Sequence, residues 1–223
     1  MKTIIKSGQI ADKIKDLKLG LVEATQIMVL PGDALFEQEL HGSVTELKQK
    51  FQDMAPSDDP VVSATRRMYR QVGWEPTKYR PSSEALIRRL IQGKGLYRIN
   101  NLVDYGNLVS ARFHIPMGLY DLDNVQGDIY IDVGNEGESY EGISKPKISA
   151  GGKIILRDND GVFGNPTADS KRTSITEKTN HVLAIFFVSS TIDDSYARNT
   201  IESLAQYYRR FTTDKIITEI VEL

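Results

Sequence analysis

The 223-residue chain contains no cysteine. That excludes disulfides, thiolate nucleophiles and Cys-ligated zinc. Its three histidines, His41, His114 and His181, are dispersed, and no pair has metal-ligand spacing, so neither a metal site nor a cofactor is expected. A charge excess of one sign is also lacking: 28 Lys and Arg stand against 30 Asp and Glu. Strong sequence-independent nucleic-acid binding draws on a basic excess, so any RNA contact must use a local basic patch. No apolar run approaches the length that spans a bilayer. The N-terminal stretch MKTIIKSGQIADKIKD holds only the Ile4-Ile5 apolar pair, far short of a signal peptide's apolar region. A cytoplasmic protein that avoids membranes is expected. Hydrophobic residues make up 40% and charged residues 26%, enough apolar content to argue against disorder. The length suits one sizeable core, and a single domain over 1–223 is expected.

Local patterns give a coarse element order. Leu19 to Leu30 is apolar and β-branched up to Pro31-Gly32, which predicts a strand with a bend. Ala34 to Met54 carries Leu35, Leu40, Leu47 and Phe51 at helical intervals, predicting a helix or a helix pair broken near Gly42-Ser43. Ala55 to Pro60 reads as a loop whose Ser and Asp residues cap a helix over Val61 to Gln71. Pro81 opens another helix, which Gly93 and Gly95 end, and Asn100 caps a third running to Ser110. The period then changes. Asp128 to Val133, Lys153 to Leu156 and His181 to Val188 read as strands, the last well buried. Ile201, Leu204, Tyr208 and Phe211 mark an amphipathic helix before a strand over Lys215 to Val221. Helices cluster centrally and strands follow, so the fold class is α+β.

Four motifs occur in order. The first holds Ser63-Ala64-Thr65-Arg66-Arg67, then Tyr79-Arg80-Pro81-Ser82-Ser83-Glu84-Ala85-Leu86 and Arg88-Arg89. It resembles the "RxSxEALxRR" pattern of stand-alone B3/B4 proteins. Ile99 to Asn107 (INNLVDYGN) resembles the "IDxVVDxTNY" helix of the phenylalanyl-tRNA synthetase beta subunit. Pro116 to Asp123 (PMGLYDLD), followed by Gly127, resembles that family's "PxHAFDxDKIxG". Asp169-Ser170 with Thr173 to Thr179 resembles "DSxRTxITExT". The chain thus resembles the B3/B4 editing domain of the synthetase beta subunit in its small stand-alone form, with the core motifs over 63–188. The resemblance implies an α+β domain with a β-sandwich-like core flanked by helices. It also implies a pocket that, in the synthetase, accepts a misattached tyrosine and hydrolyses its ester to tRNA. Two positions depart from the family: its histidine falls on Gly118 and its glutamate on Lys171. Glycine cannot position water, and lysine inverts the charge.

The expected partner is therefore an aminoacyl-tRNA or a free amino acid, and no catalytic residue is assigned. Aminoacyl-ester hydrolysis in trans is one function; non-catalytic amino-acid or RNA binding on the same fold is the alternative. Arg80 and Glu84 lie four apart, as a cap and ion pair, or as an arginine fork for a carboxylate or phosphate. Asn100, Asp104 and Asn107 share a helical face, as a structural network or a polar pocket wall. Tyr120 and Asp121 line the same implied pocket, and Gly118 allows close backbone approach there. Asp121 equally suits a turn. Thr173 and Ser174 supply hydroxyls that cap a loop or orient a water. Arg66, Arg67, Arg88 and Arg89 are a solvated face unless they converge on one RNA-binding surface.

Overall fold

The computed structural model describes residues 2–14 and 17–223. A short strand β1 (Ile4–Lys6) leads into helix α1 (Gly8–Lys13), and the Ser7 hydroxyl caps that helix by accepting from the Ile10 N–H. Strand β2 (Leu17–Ala24) precedes four helices, α2 (Phe36–Lys50), α3 (Pro60–Gln71), α4 (Ser82–Ile91) and α5 (Asn101–Arg112). Seven short strands follow: β3 (Met117–Asp121), β4 (Ile129–Val133), β5 (Ser139–Tyr140), β6 (Ile148–Ser149), β7 (Ile154–Asp158), β8 (Gly161–Asn165) and β9 (Ala168–Asp169). The long strand β10 (Val182–Ser189), helix α6 (Asp194–Tyr208) and strand β11 (Ile216–Glu222) close the order. The helix starts follow capping chemistry. Asp59 accepts from the Val61 and Val62 N–H groups with Pro60 in the first turn, and Asp193 accepts from Ser195 N–H.

One sheet runs β11-β2-β10-β3, all antiparallel; a second runs β1-β4-β7-β8-β9, with only β1–β4 parallel; β5 and β6 form a separate pair. Every residue of β2 and β10 is buried, because their sheet is covered on both faces. Strand alternation divides the two cores. Val22, Ala24, Ala184, Phe186 and Val188 pack against residues of α2, α4, α5 and α6. Leu19, Leu21, Leu183, Ile185 and Phe187 face Ile129, Ile131, Ile154, Leu156 and Phe163 of the second sheet. The architecture is an α+β fold of mixed sheets flanked by helices, with the two larger sheets packed as a sandwich. No described helix is long and apolar enough to cross a membrane.

Two expectations need correction. The second helix does not break at Gly42-Ser43; it runs unbroken through both residues. A mid-helix glycine costs only about 1 kcal/mol relative to alanine, and burial of Phe36, Ser43 and Leu47 along one side offsets it. The strand expected from Leu19 to Leu30 stops at Ala24. Gln26 adopts φ +49°, which turns the chain off the sheet, and Met28 N–H donates instead to the Phe211 carbonyl at 2.8 Å. The strands β1, β3, β8 and β9 carry too little periodicity to be read locally.

Candidate functional site

The two sheets meet at a buried polar cluster. Tyr120 on β3 is fully buried, and its ring turns back along its own strand. A Cβ placed on Gly118 would lie 1.9 Å from Tyr120 Oη, and one on Gly164 of β8 would lie 2.3 Å from it. Both glycines therefore make room for the chain's own phenol. The close approach that sequence assigned to a ligand at Gly118 is taken by Tyr120. Phe163 meets the same ring edge-on at a centroid distance of 4.9 Å. Gly118→Ala should destabilise the fold by about 2–3 kcal/mol through overpacking. A chemical-denaturation midpoint unchanged by this substitution would show that Tyr120 moves aside at no cost.

Asp169 at the end of β9 faces the Tyr120 hydroxyl. A Cβ on Gly118 would also lie 2.7 Å from Asp169 Oδ1. That oxygen is sealed from solvent, while Oδ2 accepts from Leu119 N–H at 3.2 Å. Burial pushes the Asp169 carboxyl up to about 7, and the Tyr120 hydroxyl and Leu119 N–H only partly oppose it. Burial and the charge of Asp169 together push the Tyr120 phenol well above its ordinary range. Asp169 thus titrates near neutrality, where a general base is poised.

The β8–β9 turn holds this carboxyl in place. Asn165 Oδ1 accepts from the Thr167 and Ala168 N–H groups at 2.8 and 3.0 Å, and its Nδ2 donates to Tyr140 Oη at 2.8 Å. The Tyr140 hydroxyl donates to Ala168 O at 2.6 Å. Tyr140 and Ser170 in turn form part of the wall of an open cleft of about 630 Å³, with Glu138, Glu141, Lys171 and Arg172 around them. Lys171 there pairs with the exposed Glu141 at 2.9 Å. The cleft therefore reaches to within one residue of Asp169, with Tyr140 between.

On the other side of the same turn, Pro166 O accepts from Tyr69 O–H at 3.3 Å and from Ser82 N–H at 3.2 Å. Behind these two residues stands Glu84, fully buried on the first turn of α4. Arg66 Nη1 and Arg88 Nε donate to its two oxygens at 2.8 and 2.9 Å, and Arg80 Nε lies at 3.5 Å. Arg80 and Glu84 thus form the ion pair read from their spacing, within a larger set. The four arginines considered for RNA do not share a surface. Arg66 and Arg88 meet at Glu84, Arg67 donates to Ser63, and Arg89 stacks at 3.9 Å from the Tyr97 ring centroid.

The other sequence candidates lie apart from Asp169 in role. Asn100 caps α5 by accepting from Val103 N–H, and Asp104 pairs with Arg98 at 2.8 Å while accepting from Ile99 N–H. Asn107 is half-buried further along that helix. Asp121 accepts from Thr179 O–H at 2.7 Å and from Asp123 N–H, as a turn residue does. Thr173 is fully buried with its Oγ1 2.9 Å from Ser170 Oγ, and Ser174 donates to Lys171 O. No group of three or more His, Asp or Glu among the described residues could hold a metal ion.

Residues 64–221 match the model of the family described as the B3/4 domain, and that span is most of the chain. The chain belongs to the B3/4 domain family. Among curated proteins, this B3/4 domain is similar to the phenylalanine–tRNA ligase beta subunit of Neisseria meningitidis serogroup B, 27% identical over 143 residues. That match covers 63% of this chain and 17% of the ligase subunit. The Bartonella henselae beta subunit is 28% identical over 104 residues, covering 46% of this chain and 13% of that one. The B3/4 domain described here therefore spans a small part of those relatives' length. An N-terminal fragment of the Pyrococcus horikoshii phenylalanyl-tRNA synthetase beta subunit aligns over 98% of this chain and 50% of its own, with TM-score 0.44 and 12% identity. Within the domain, Gly118, Tyr120 and Asp169 all fall inside the matched span. Of these, Asp169 was visible in the sequence only as part of a motif. Its raised pKa comes from burial, which the Tyr120 hydroxyl and Leu119 N–H only partly offset, and no local pattern joins those groups to it.

Proposed function

We propose that this B3/4 domain acts in the cytoplasm on aminoacyl-tRNA, hydrolysing a mischarged aminoacyl ester in trans. The single observation that carries the reading beyond the family is the Asp169 carboxyl, set near neutral pH beside a peptide N–H and a phenol. An aminoacyl ester is already activated, so its hydrolysis needs a positioned water and a stabilised oxyanion. In this reading the aminoacyl group enters by the cleft at Tyr140 and Ser170 and displaces the Tyr140 ring, which opens the otherwise sealed Asp169 carboxyl to water. Asp169 takes a proton from water as the water oxygen attacks the ester carbonyl. The tetrahedral intermediate collapses, the ribose oxygen leaves, and it takes the proton back from Asp169. The products are a free amino acid and tRNA.

The test is release of amino acid from a panel of correctly and wrongly charged tRNAs. The rate should rise with pH and reach half its plateau near pH 7, as Asp169 loses its proton. Asp169→Asn should lower it by about 100-fold or more, the usual scale of general-base catalysis. A flat pH profile with full activity in the variant would remove Asp169 from the mechanism.

A second reading is non-catalytic binding of an amino acid. It is favoured by the way Tyr120 fills the space at Gly118 and seals Asp169 Oδ1. It predicts no release from any charged tRNA, together with a rise in melting temperature on adding the amino acid.

A further inference from the structure

The chain's near-zero net charge hides a concentration of positive charge around residues 74–80. Arg66, Arg80 and Arg88 share one carboxylate, Glu84, so two of the three guanidinium charges are left over at that group. Arg66 Nη2 also donates to Thr77 Oγ1 at 3.2 Å, which brings this group against the loop. Two residues further on, the Tyr79 ring carries two ammonium groups, Lys153 Nζ at 4.4 Å and Lys78 Nζ at 5.3 Å from its centroid. Lys153 is 7% exposed, lies 5.7 Å from the Trp74 centroid, and donates to Ser149 O at 2.5 Å. Burial first, then the charges of Lys145 and Lys78, lower its pKa, so each of those two lysines lies within electrostatic reach of Lys153. Among the described residues no ion pair neutralises Lys78, Lys145 or Lys153. The exposed acid on the loop is Glu75, which accepts from Thr77 N–H and lies within electrostatic reach of Arg70 and Arg66.

Unneutralised like charges held close together cost free energy in the free protein and are stabilised when a polyanion arrives. Here they are held in position. Glu84 fixes the guanidinium groups in place, and the Tyr79 and Trp74 rings fix the ammonium groups by cation–π attraction. Planar guanidinium forks and lysine point charges are the donors that phosphate oxygens take. The strip also adjoins the turn that carries Asp169, because Tyr69 and Ser82, beside Glu84, both donate to Pro166 O.

We propose that the strip formed by Arg66, Lys78, Arg80, Arg88, Lys145 and Lys153 docks the phosphodiester backbone of a single-stranded RNA end. That the RNA is a tRNA rests on the proposed function; that the strip takes phosphodiesters does not. The strand runs along the cations and brings its terminus to the β8–β9 turn.

The experiment is fluorescence anisotropy of the full chain with uncharged tRNA over a series of salt concentrations. Lys78→Glu and Lys145→Glu are measured beside the unmodified protein. Lys78 and Lys145 are exposed, so melting temperatures of their variants should not change. The expected affinity falls steeply with salt. Each glutamate variant should bind about tenfold more weakly and flatten the salt slope by about one. Absent or salt-independent binding overturns the proposal, as does equal binding by the two lysine variants. Displacement of the RNA by poly-glutamate of matched charge at equal concentration overturns the assignment to a nucleic acid. Salt-dependent binding that both lysine variants weaken, without amino-acid release from any charged tRNA, supports the strip and rejects the hydrolytic reading. Release that the lysine variants leave untouched rejects the strip and keeps the hydrolytic reading.

Discussion

Replacing Asp59 by alanine is expected to lower the stability of the fold by about 2–4 kcal/mol, the scale of losing a helix cap together with buried hydrogen bonds to a carboxylate. Asp59 is fully buried. Its Oδ1 accepts from the first N–H groups of α3 and lies 3.0 Å from His114 Nδ1, and its Oδ2 lies 2.7 Å from Lys50 Nζ. One carboxylate therefore caps a helix and bonds a histidine ring that is itself only 2% exposed. His114 is held at φ +58°, and its carbonyl accepts from Ser83 O–H on α4. Loss of Asp59 thus disturbs α2, α3 and the start of α4 together. Lys50 is largely exposed, so Lys50→Ala should cost about 1 kcal/mol or less. Urea unfolding of the two variants measures the contrast, and equal costs would show that the histidine and the cap contribute nothing.

The same residue sets an acid limit. Burial would raise the Asp59 pKa, but the hydrogen bonds from His114 and Lys50 outweigh it and hold the carboxyl well below the ordinary range. A depressed carboxylate lends stability above its unfolded pKa and loses it as pH falls through the folded value. The stability gap between the unmodified protein and Asp59→Ala should therefore be full at neutral pH and narrow only in strong acid.

Asp169 has the opposite sign, and Asp169→Asn should make the protein more stable in mild alkali. Its folded pKa of about 7 lies above the ordinary aspartate value of 3.8, so the folded state holds the proton more tightly than the unfolded one. Stability contributed by this group falls as pH rises from about 4 to about 7, because the native state binds more protons over that window. At 1.36 kcal/mol per unit the cost of ionising Asp169 in place is on the order of 4 kcal/mol. Asparagine carries no charge to bury, and its amide has the shape to accept from Leu119 N–H and meet the Tyr120 oxygen. The variant should match the unmodified protein near pH 4 and exceed it by a few kcal/mol at pH 8. Denaturation curves at those two pH values decide it: a gain that is equal at both would trace to packing and not to the charge. Combined with lost ester hydrolysis, a stabilised Asp169→Asn would mark a group kept for chemistry at the expense of stability.

Much of the architecture could be read from the chain directly. The burial of Val182 to Val188 on both faces, the caps Asp59 and Asn100, and the α+β class follow from period and capping chemistry, which act over a few residues. The unbroken α2 was not legible, because a glycine's cost is local while the burial that offsets it comes from other elements. The strands β8 and β9, five and two residues long, are defined by their partners across the sheet and not by their own composition.

The candidate site divides along the same line. From the sequence alone came the family resemblance, the Arg80–Glu84 pair and the departures at Gly118 and Lys171, because each is a matter of residue type and spacing. Only the tertiary structure filled Gly118 with Tyr120, raised Asp169 by burying it between two sheets, and gathered Arg66 and Arg88 from different helices onto Glu84. The Arg66–Glu84 pair and the Asp169 site depend on desolvation and on contacts between residues 18 to 51 positions apart in the chain, such as Arg66 with Glu84 and Gly118 with Asp169, and the Tyr120 ring, only two residues from Gly118, is seated there against Phe163 and Gly164 of another strand. Local periodicity carries no information about either.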